Sequence, residues 1–387
     1  MEKQSTGTNE NNAETGRIRE ILSWIPLVLM MIFFAGTWSF PWFYHITEIY
    51  NSLIIFISLV LLFLIKVDWV AALKNKDIYL YITILAIVTA TVNLFIIGSN
   101  KGCILILADF LLILYIAPKI RLSGLQMKVL SAFFFLMYFS WFVYDRAFSY
   151  NSNTGATYTV FTLFTALIVL KMFYEKWEFA GLFIVMALLR TGTLVLWHLA
   201  RGAFMALIFF VFFYFLFIFF DPAKYKKSYF LLCVFAVFGS LLFVFSYVKL
   251  SQTGFNAQMP FFYKNIFSGR EQIWSEIWDM LKQHIFTGIG SGYKLKSFFE
   301  YNIHNAMYDI LAVHGVIVFF LSAFLIIGRL HKMGSLVKRN SSSMIASAAI
   351  FAVFFESFID MDLMWADYSP IILFLFLEVF KGAEERV

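Results

Sequence analysis

The chain has 387 residues and a formal net charge of +6; 61% of the residues are apolar, 14% are charged, and 50 are phenylalanine. Soluble domains carry roughly 25% charged residues, so a soluble fold is excluded, as is an outer-membrane barrel with its short alternating segments, since stretches such as "LIFFVFFYFLFIFF" are apolar on every face. The positive charge does not mark a nucleic-acid binder, because most Lys and Arg sit in short loops between apolar runs, where they set membrane topology.

The N-terminal stretch Met1 to Gly16 is polar and rich in Asn, Glu and Thr, and residues 1–20 read as a disordered cytoplasmic segment. No small-residue cleavage site follows the first apolar run, which is expected to stay as a span. Apolar windows then fall at 21–40, 46–65, 78–98, 103–117, 128–145, 156–173, 178–196, 202–220 and 228–248, giving nine expected helices over 21–248. An external loop covers 249–302. Three more windows follow at 303–328, 343–359 and 368–380, and a cytoplasmic tail occupies 381–387. The fold expected is therefore all-α, about twelve transmembrane helices with one long external loop containing an amphipathic helix.

Charge orients the bundle. Lys66, Lys74 and Lys76, then Lys224, Lys226 and Lys227, then Arg329, Lys332, Lys338 and Arg339 fall on the side of the N-terminus. The positive-inside rule makes that side cytoplasmic, with both termini there and the long loop outside. Cys103 and Cys233 lie inside expected spans and read as small buried hydrophobes, with no sign of a disulfide framework or metal cluster. No internal repeat and no pair of inverted halves is visible.

The loop carries its own helix signal in "SGREQIWSEIWDMLKQHIF". Ser268 and Glu271 form a capping-box pattern that puts Arg270 in the first turn. Ile273, Trp274, Ile277, Trp278 and Leu281 recur at helical spacing and give one apolar face, suited to the bilayer surface or to the bundle.

Three basic residues stand at expected helix starts on the outer face. Arg201 opens a span in "HLARGAFMALIFF", Arg270 opens the loop helix, and His304 opens the span after the loop. Helix N-termini favour anions, so cations there oppose the helix dipole. Taken singly, each reads as a snorkelling or interfacial residue. Together, free N–H groups and two guanidinium forks make an anion site suited to a diphosphate. A neutral imidazole at His304 can accept a proton, which makes it a candidate general base.

These segments resemble the O-antigen ligase and polymerase superfamily of membrane glycosyltransferases. "ARGAF" is similar to that family's Ser-Arg-Gly-Ala helix start, with Ala200 where the family often has Ser. "SGREQIW…HIFTGIGSGY" resembles its long-loop pattern of Arg, Trp and a Gly-x-Gly segment, and "HNAMYDILAVHGVIVFFL" its His-Asn span start. The resemblance implies transfer of a glycan from a polyprenyl-diphosphate-linked oligosaccharide to a glycan, lipid or protein acceptor. It also implies no metal, no cofactor and inversion at the anomeric centre, in a bacterial cytoplasmic membrane with the site on the external face. By the same resemblance His304 is the acceptor's base, and Arg201 and Arg270 grip the diphosphate.

Other features carry less. "DMD", Asp360 and Asp362, echoes the metal–nucleotide motif of glycosyltransferases built on α/β domains, which this chain lacks, so it reads as a loop element. Glu356, costly in lipid, is expected to face the interior or the site. "GIGSG", Gly288 to Gly292, reads as a flexible hinge, and Arg190 as a snorkelling residue. His198 is close to Arg201 in sequence, whereas His314 points away from His304 round the helix. The compact loop, with no appended acceptor domain, favours a polymerase of lipid-linked repeats over a ligase. Polar residues gathered on one face weigh against a lipid-linked-sugar flippase.

Overall fold

The computed structural model describes residues 16–98, 102–146, 149–255, 257–259, 262, 264–297 and 302–381, so the polar stretch 1–15 and the tail 382–387 lie outside the described residues. The chain is a helical bundle. Its elements are α1 (Gly16–Ser39), α2 (Pro41–Lys66), α3 (Trp69–Lys74), α4 (Ile78–Ile97), α5 (Gly102–Ile116), α6 (Gly124–Val143), α7 (Ser152–Tyr174), α8 (Ala180–Trp197), α9 (Arg201–Phe219) and α10 (Lys226–Gln252). The loop then holds β1 (Gln258–Met259), β2 (Lys264–Asn265) and α11 (Arg270–Leu281), and the chain closes with α12 (Ala306–His314), α13 (Val316–Met333), α14 (Ser341–Glu356) and α15 (Ser369–Phe380).

Twelve spans is an overcount. Among the described residues eight helices are long and apolar enough to cross a membrane, or nine if the bent pair within α2 is one span. The excess has two causes. At 1.5 Å per residue, α5, α14 and α15, with 15, 16 and 12 residues, fall short of a core about 30 Å thick. Hydropathy does not separate them from spans because they are as apolar as the long helices. The second is the bend of 68° within α2, which separates eight from nine. The expected span 303–328 is broken at Gly315, whose φ of 87° ends α12 and starts α13, but α13 still counts as a span.

The short helices lie in the middle of the bundle. α14 and α15 are buried along almost their whole lengths, as is α7. α14 packs along α9, where Phe351 and Phe355 meet Phe209, Phe213 and Phe217, and Gly202 lets the start of α9 approach Glu356, a small residue where two membrane helices come close. Threonines inside α7 return their hydroxyls to their own helix, with Thr159 donating to Gly155 O at 2.9 Å and Thr162 to Tyr158 O at 2.7 Å, so these hydroxyls are not stranded in the apolar interior.

Two arrangements hold the ends of the outer loop and the last turn in place. The turn between α14 and α15 is pinned by Tyr368. Its ring stacks on Trp38 (5.6 Å between centroids) and its hydroxyl donates to Thr154 O at 2.9 Å. At the other end of the loop, "GIGSG" is clasped to the α12–α13 break rather than hinging freely. Ile289 N donates to Ala312 O (2.7 Å), Gly290 N to Val313 O (3.1 Å) and Val316 N to Ile285 O (2.9 Å). A Cβ on Gly288 would sit 2.4 Å from Val313 O, and one on Gly315 would sit 2.2 Å from Phe286 O. Only glycine allows the two backbones this approach.

Candidate functional site

The loop helix is set by its apolar face. α11 starts at Arg270 after Gly269, whose φ of 89° is left-handed; Ser268 makes no cap, and Glu271 alone of the expected capping box contributes, accepting from Gly269 N at 3.1 Å. Ile273, Trp274, Ile277 and Leu281 are buried against the bundle. Trp274 Nε1 donates to Ile303 O at 2.6 Å, and Tyr308 OH donates to Trp274 O at 3.1 Å. The Trp-bearing face thus ties the loop helix to the segment that carries His304.

His304 is held from the other side by its neighbour. Asn305, fully buried, is the N-cap of α12: its Oδ1 accepts from Tyr308 N at 2.8 Å and from Ser240 Oγ at 2.8 Å, while its Nδ2 donates to Phe358 O at 2.8 Å. His304 therefore stands just outside the helix rather than in its first turn, with φ of 50°, a strained backbone worth about 1–3 kcal/mol that these bonds hold in place.

Arg270 and His304 meet on a residue that by its motif alone reads as a loop element. His304 Nδ1 lies 3.2 Å from Asp360 Oδ1, and Arg270 Nη2 lies 3.6 Å from Asp360 Oδ2. Arg201 begins α9, where its Nη1 donates to Asn265 O at 3.0 Å and lies 3.9 Å from Met259 Sδ, both in the β1–β2 hairpin. It is within electrostatic reach of Arg270, and Tyr247 on α10 is within reach of both guanidinium groups. Gly202 completes the junction. A Cβ there would stand 3.0 Å from Glu356 Oε1 and 3.7 Å from Asp360 Oδ2, so the first turn of α9 presses directly on the carboxylates.

The electrostatics follow from this packing. Burial alone would push Asp360 up, but the hydrogen bond and charge of His304, with the Arg270 guanidinium, outweigh it and hold the carboxyl below its ordinary range. An ionised Asp360 accepts the Nδ1 proton of His304, which leaves Nε2 as the basic nitrogen of the neutral ring. Asp362 goes the other way: burial, then the charge of Asp360, push it well above the ordinary value, against hydrogen bonds from Thr157 and Glu356. The oxygens of Glu356 find no donor among the described residues. Burial, then the charges of Asp362 and Asp360, push Glu356 well above its ordinary value, and a protonated Glu356 donates to Asp362.

Carboxyl oxygens of Glu356, Asp360 and Asp362 all lie within 4.8 Å of one another, a spacing able to hold a cation. Arg270 and His304 already face this group. The buried Nε of Arg270 has no acceptor among the described residues, so this end of the site suits an added anion.

Of the other residues weighed, His198 Nε2 pairs with Asp145 Oδ2 at 2.8 Å, Arg190 Nε donates to Phe142 O at 3.4 Å, and His314 is buried in α12. Asp360, Asp362 and the packing role of Gly202 were missed. The available signal was the cost of a carboxylate at the edge of an apolar run: Glu356 and Asp360 needed cationic partners, and the expected outer face offered two arginines.

A family model described as O-Antigen ligase matches residues 182–323, so the chain carries a domain of that family over this part of its length. The match contains Arg201, Arg270 and His304 and ends before Asp360. No curated protein and no solved structure matches the chain.

Proposed function

We propose that this chain, which carries an O-antigen ligase domain over residues 182–323, transfers a glycan from a polyprenyl-diphosphate carrier to an acceptor hydroxyl at the outer face of a bacterial cytoplasmic membrane. One observation carries the proposal: Arg270 and His304, singled out separately in the sequence, meet on the same carboxylate, Asp360. A base and its orienting carboxylate then lie beside two guanidinium groups, the pairing that an alcohol attacking a lipid diphosphate requires.

In this scheme Asp360 fixes the ring of His304, and His304 Nε2 takes the proton from the acceptor hydroxyl. The acceptor oxygen bonds to the anomeric carbon from the face opposite the diphosphate, and the anomeric C–O bond breaks with its electron pair passing to the diphosphate oxygen. Attack and departure on opposite faces invert the centre. Arg201 and Arg270 are aimed at the negative charge that grows on the leaving diphosphate; a single donor so placed contributes about 3–4 kcal/mol in well-studied sites. Neither a metal nor a nucleotide sugar takes part.

The description of the matched family favours a ligase reaction, transfer onto a lipid or protein acceptor, over the polymerase reading drawn from the compact loop. The test is a reaction of the purified protein with a synthetic polyprenyl-diphosphate oligosaccharide, a chelator and a hydroxyl-bearing glycolipid. Glycan on the glycolipid supports the ligase. Lengthening of the donor alone would replace it with the polymerase. Movement of the donor across the bilayer without a covalent product, or a requirement for added metal, would sink the scheme.

A further inference from the structure

A second built site lies at the opposite end of the bundle. The last turn of α2, the short α3, the start of α4, the end of α5 and the last turn of α13 enclose a cavity of about 390 Å³. Its position follows from the chain path: α13 runs away from the α12 end that adjoins His304, and α14 returns to Glu356.

Four cationic side chains, Lys66, Lys119, Arg329 and Lys332, line this cavity against two carboxylates, Asp68 and Asp77. Both carboxylates are engaged in local structure. Asp68 caps α3 by accepting from Ala71 N at 2.9 Å, and Asp77 caps α4 by accepting from Tyr79 N at 3.0 Å while pairing with Lys119 at 2.8 Å. The wall thus keeps an excess of positive charge. Arg329 is only 2% exposed, its guanidinium carbon over the Tyr79 ring at 4.0 Å from the centroid and 5.9 Å from that of Tyr115. Topology-setting cations need only face water, whereas these converge on one cavity, and one of them is fixed between aromatic rings.

The outer wall shows what kind of anion fits. α3 turns Asp68, Ala71, Ala72 and Asn75 toward the cavity, while Trp69, Val70 and Leu73 are exposed on its other side. A short helix with an outward Trp and aliphatic residues lies at the headgroup level of a bilayer. Leu64 on the last turn of α2 and Ile78 at the start of α4 are exposed as well. A ligand here would have a phosphate in the cavity and acyl chains along these exposed side chains.

We propose that this cavity binds the phosphate of an anionic phospholipid from the leaflet opposite the glycan-transfer site. Lys332 is exposed, so its neutralisation spares the packing. The full-length protein, delipidated in neutral detergent, is titrated with dioleoylphosphatidylglycerol, dioleoylphosphatidylcholine or acyl-free sn-glycerol 1-phosphate, and bound lipid is counted by native mass spectrometry alongside the apparent Tm. Phosphatidylglycerol binds more tightly than phosphatidylcholine and raises Tm more. Lys332→Gln weakens phosphatidylglycerol roughly fivefold, the ratio equivalent to about 1 kcal/mol per basic residue near an anionic surface, while Lys226→Gln, outside the cavity, leaves it unchanged. Equal binding of the two lipids, an equal loss in Lys226→Gln, or a full Tm shift from glycerol phosphate alone overturns the proposal.

Discussion

Asp360→Asn keeps the size of the side chain and removes its charge, so it isolates what the carboxylate does for His304 and Arg270. The ion pair with Arg270, at 3.6 Å, corresponds to about 4–5 kcal/mol at an effective dielectric near 20. Asp360 retains 22% of its side-chain exposure, and solvent screening reduces this to about 2 kcal/mol. The hydrogen bond to His304 adds about 1.5–3 kcal/mol as a bond to a charged group, and an Asn carbonyl replaces part of it. A net loss of about 2–4 kcal/mol in the transition state lowers the transfer rate roughly 30- to 1,000-fold. The loss falls on kcat, because Arg201 and Arg270 remain to hold the donor, whose KM stays within about threefold. Initial rates of glycan transfer, measured over a range of donor concentrations on protein that is monodisperse in detergent, give both numbers. A variant within about threefold of the parent in kcat would refute the assignment of Asp360 as the carboxylate that positions the base.

Four further outcomes rest on the same geometry. Arg270→Lys keeps the charge but loses the planar fork, and transfer falls about 10²-fold with a raised donor KM, read by steady-state kinetics. Gly202→Ala drives a Cβ to 3.0 Å from Glu356 Oε1 and lowers both activity and Tm, at a cost of about 1–3 kcal/mol; unchanged kinetics would mean that α9 has room to shift. Asn305→Ala removes an N-cap and strands Phe358 O and Ser240 Oγ, destabilising the protein by about 2–4 kcal/mol, visible as a lower apparent Tm. Asp362 has a raised pKa, so the stability it confers is complete below its ordinary carboxylate value and is lost as pH rises through the raised one. Asp362→Asn should flatten the decline of Tm over that window, and an unaltered Tm–pH slope would count against the raised titration of Asp362.

Arg201 was legible because a cation before a long apolar run is conspicuous and its helix begins there, and Arg270 because the Ile and Trp spacing and the capping-box pattern of the loop place a helix start there, although Ser268 does not make the cap. His304 was legible as a polar residue at a span edge, but its place outside α12 depends on the bonds of Asn305 to Ser240 and Phe358, which are distant in sequence. Asp360 was not legible as a partner. What brings it to His304 is a turn pinned by Tyr368 against Trp38, and no local pattern reports such packing. The count of spans failed for a related reason. Hydropathy measures what a segment is made of, and α14 and α15 are apolar because the protein surrounds them, not because they cross lipid alone.

The most direct measurement of the proposed chemistry separates donor binding from transfer in one set of variants. Binding of a labelled polyprenyl-diphosphate oligosaccharide and its transfer to acceptor are measured for the parent protein, Arg201→Ala, Arg270→Ala and His304→Ala. Both arginine variants are expected to lose donor binding and transfer, whereas His304→Ala binds donor like the parent and transfers at least about 10²-fold more slowly. Full transfer by His304→Ala, or donor binding untouched by both arginine changes, would contradict the assigned roles.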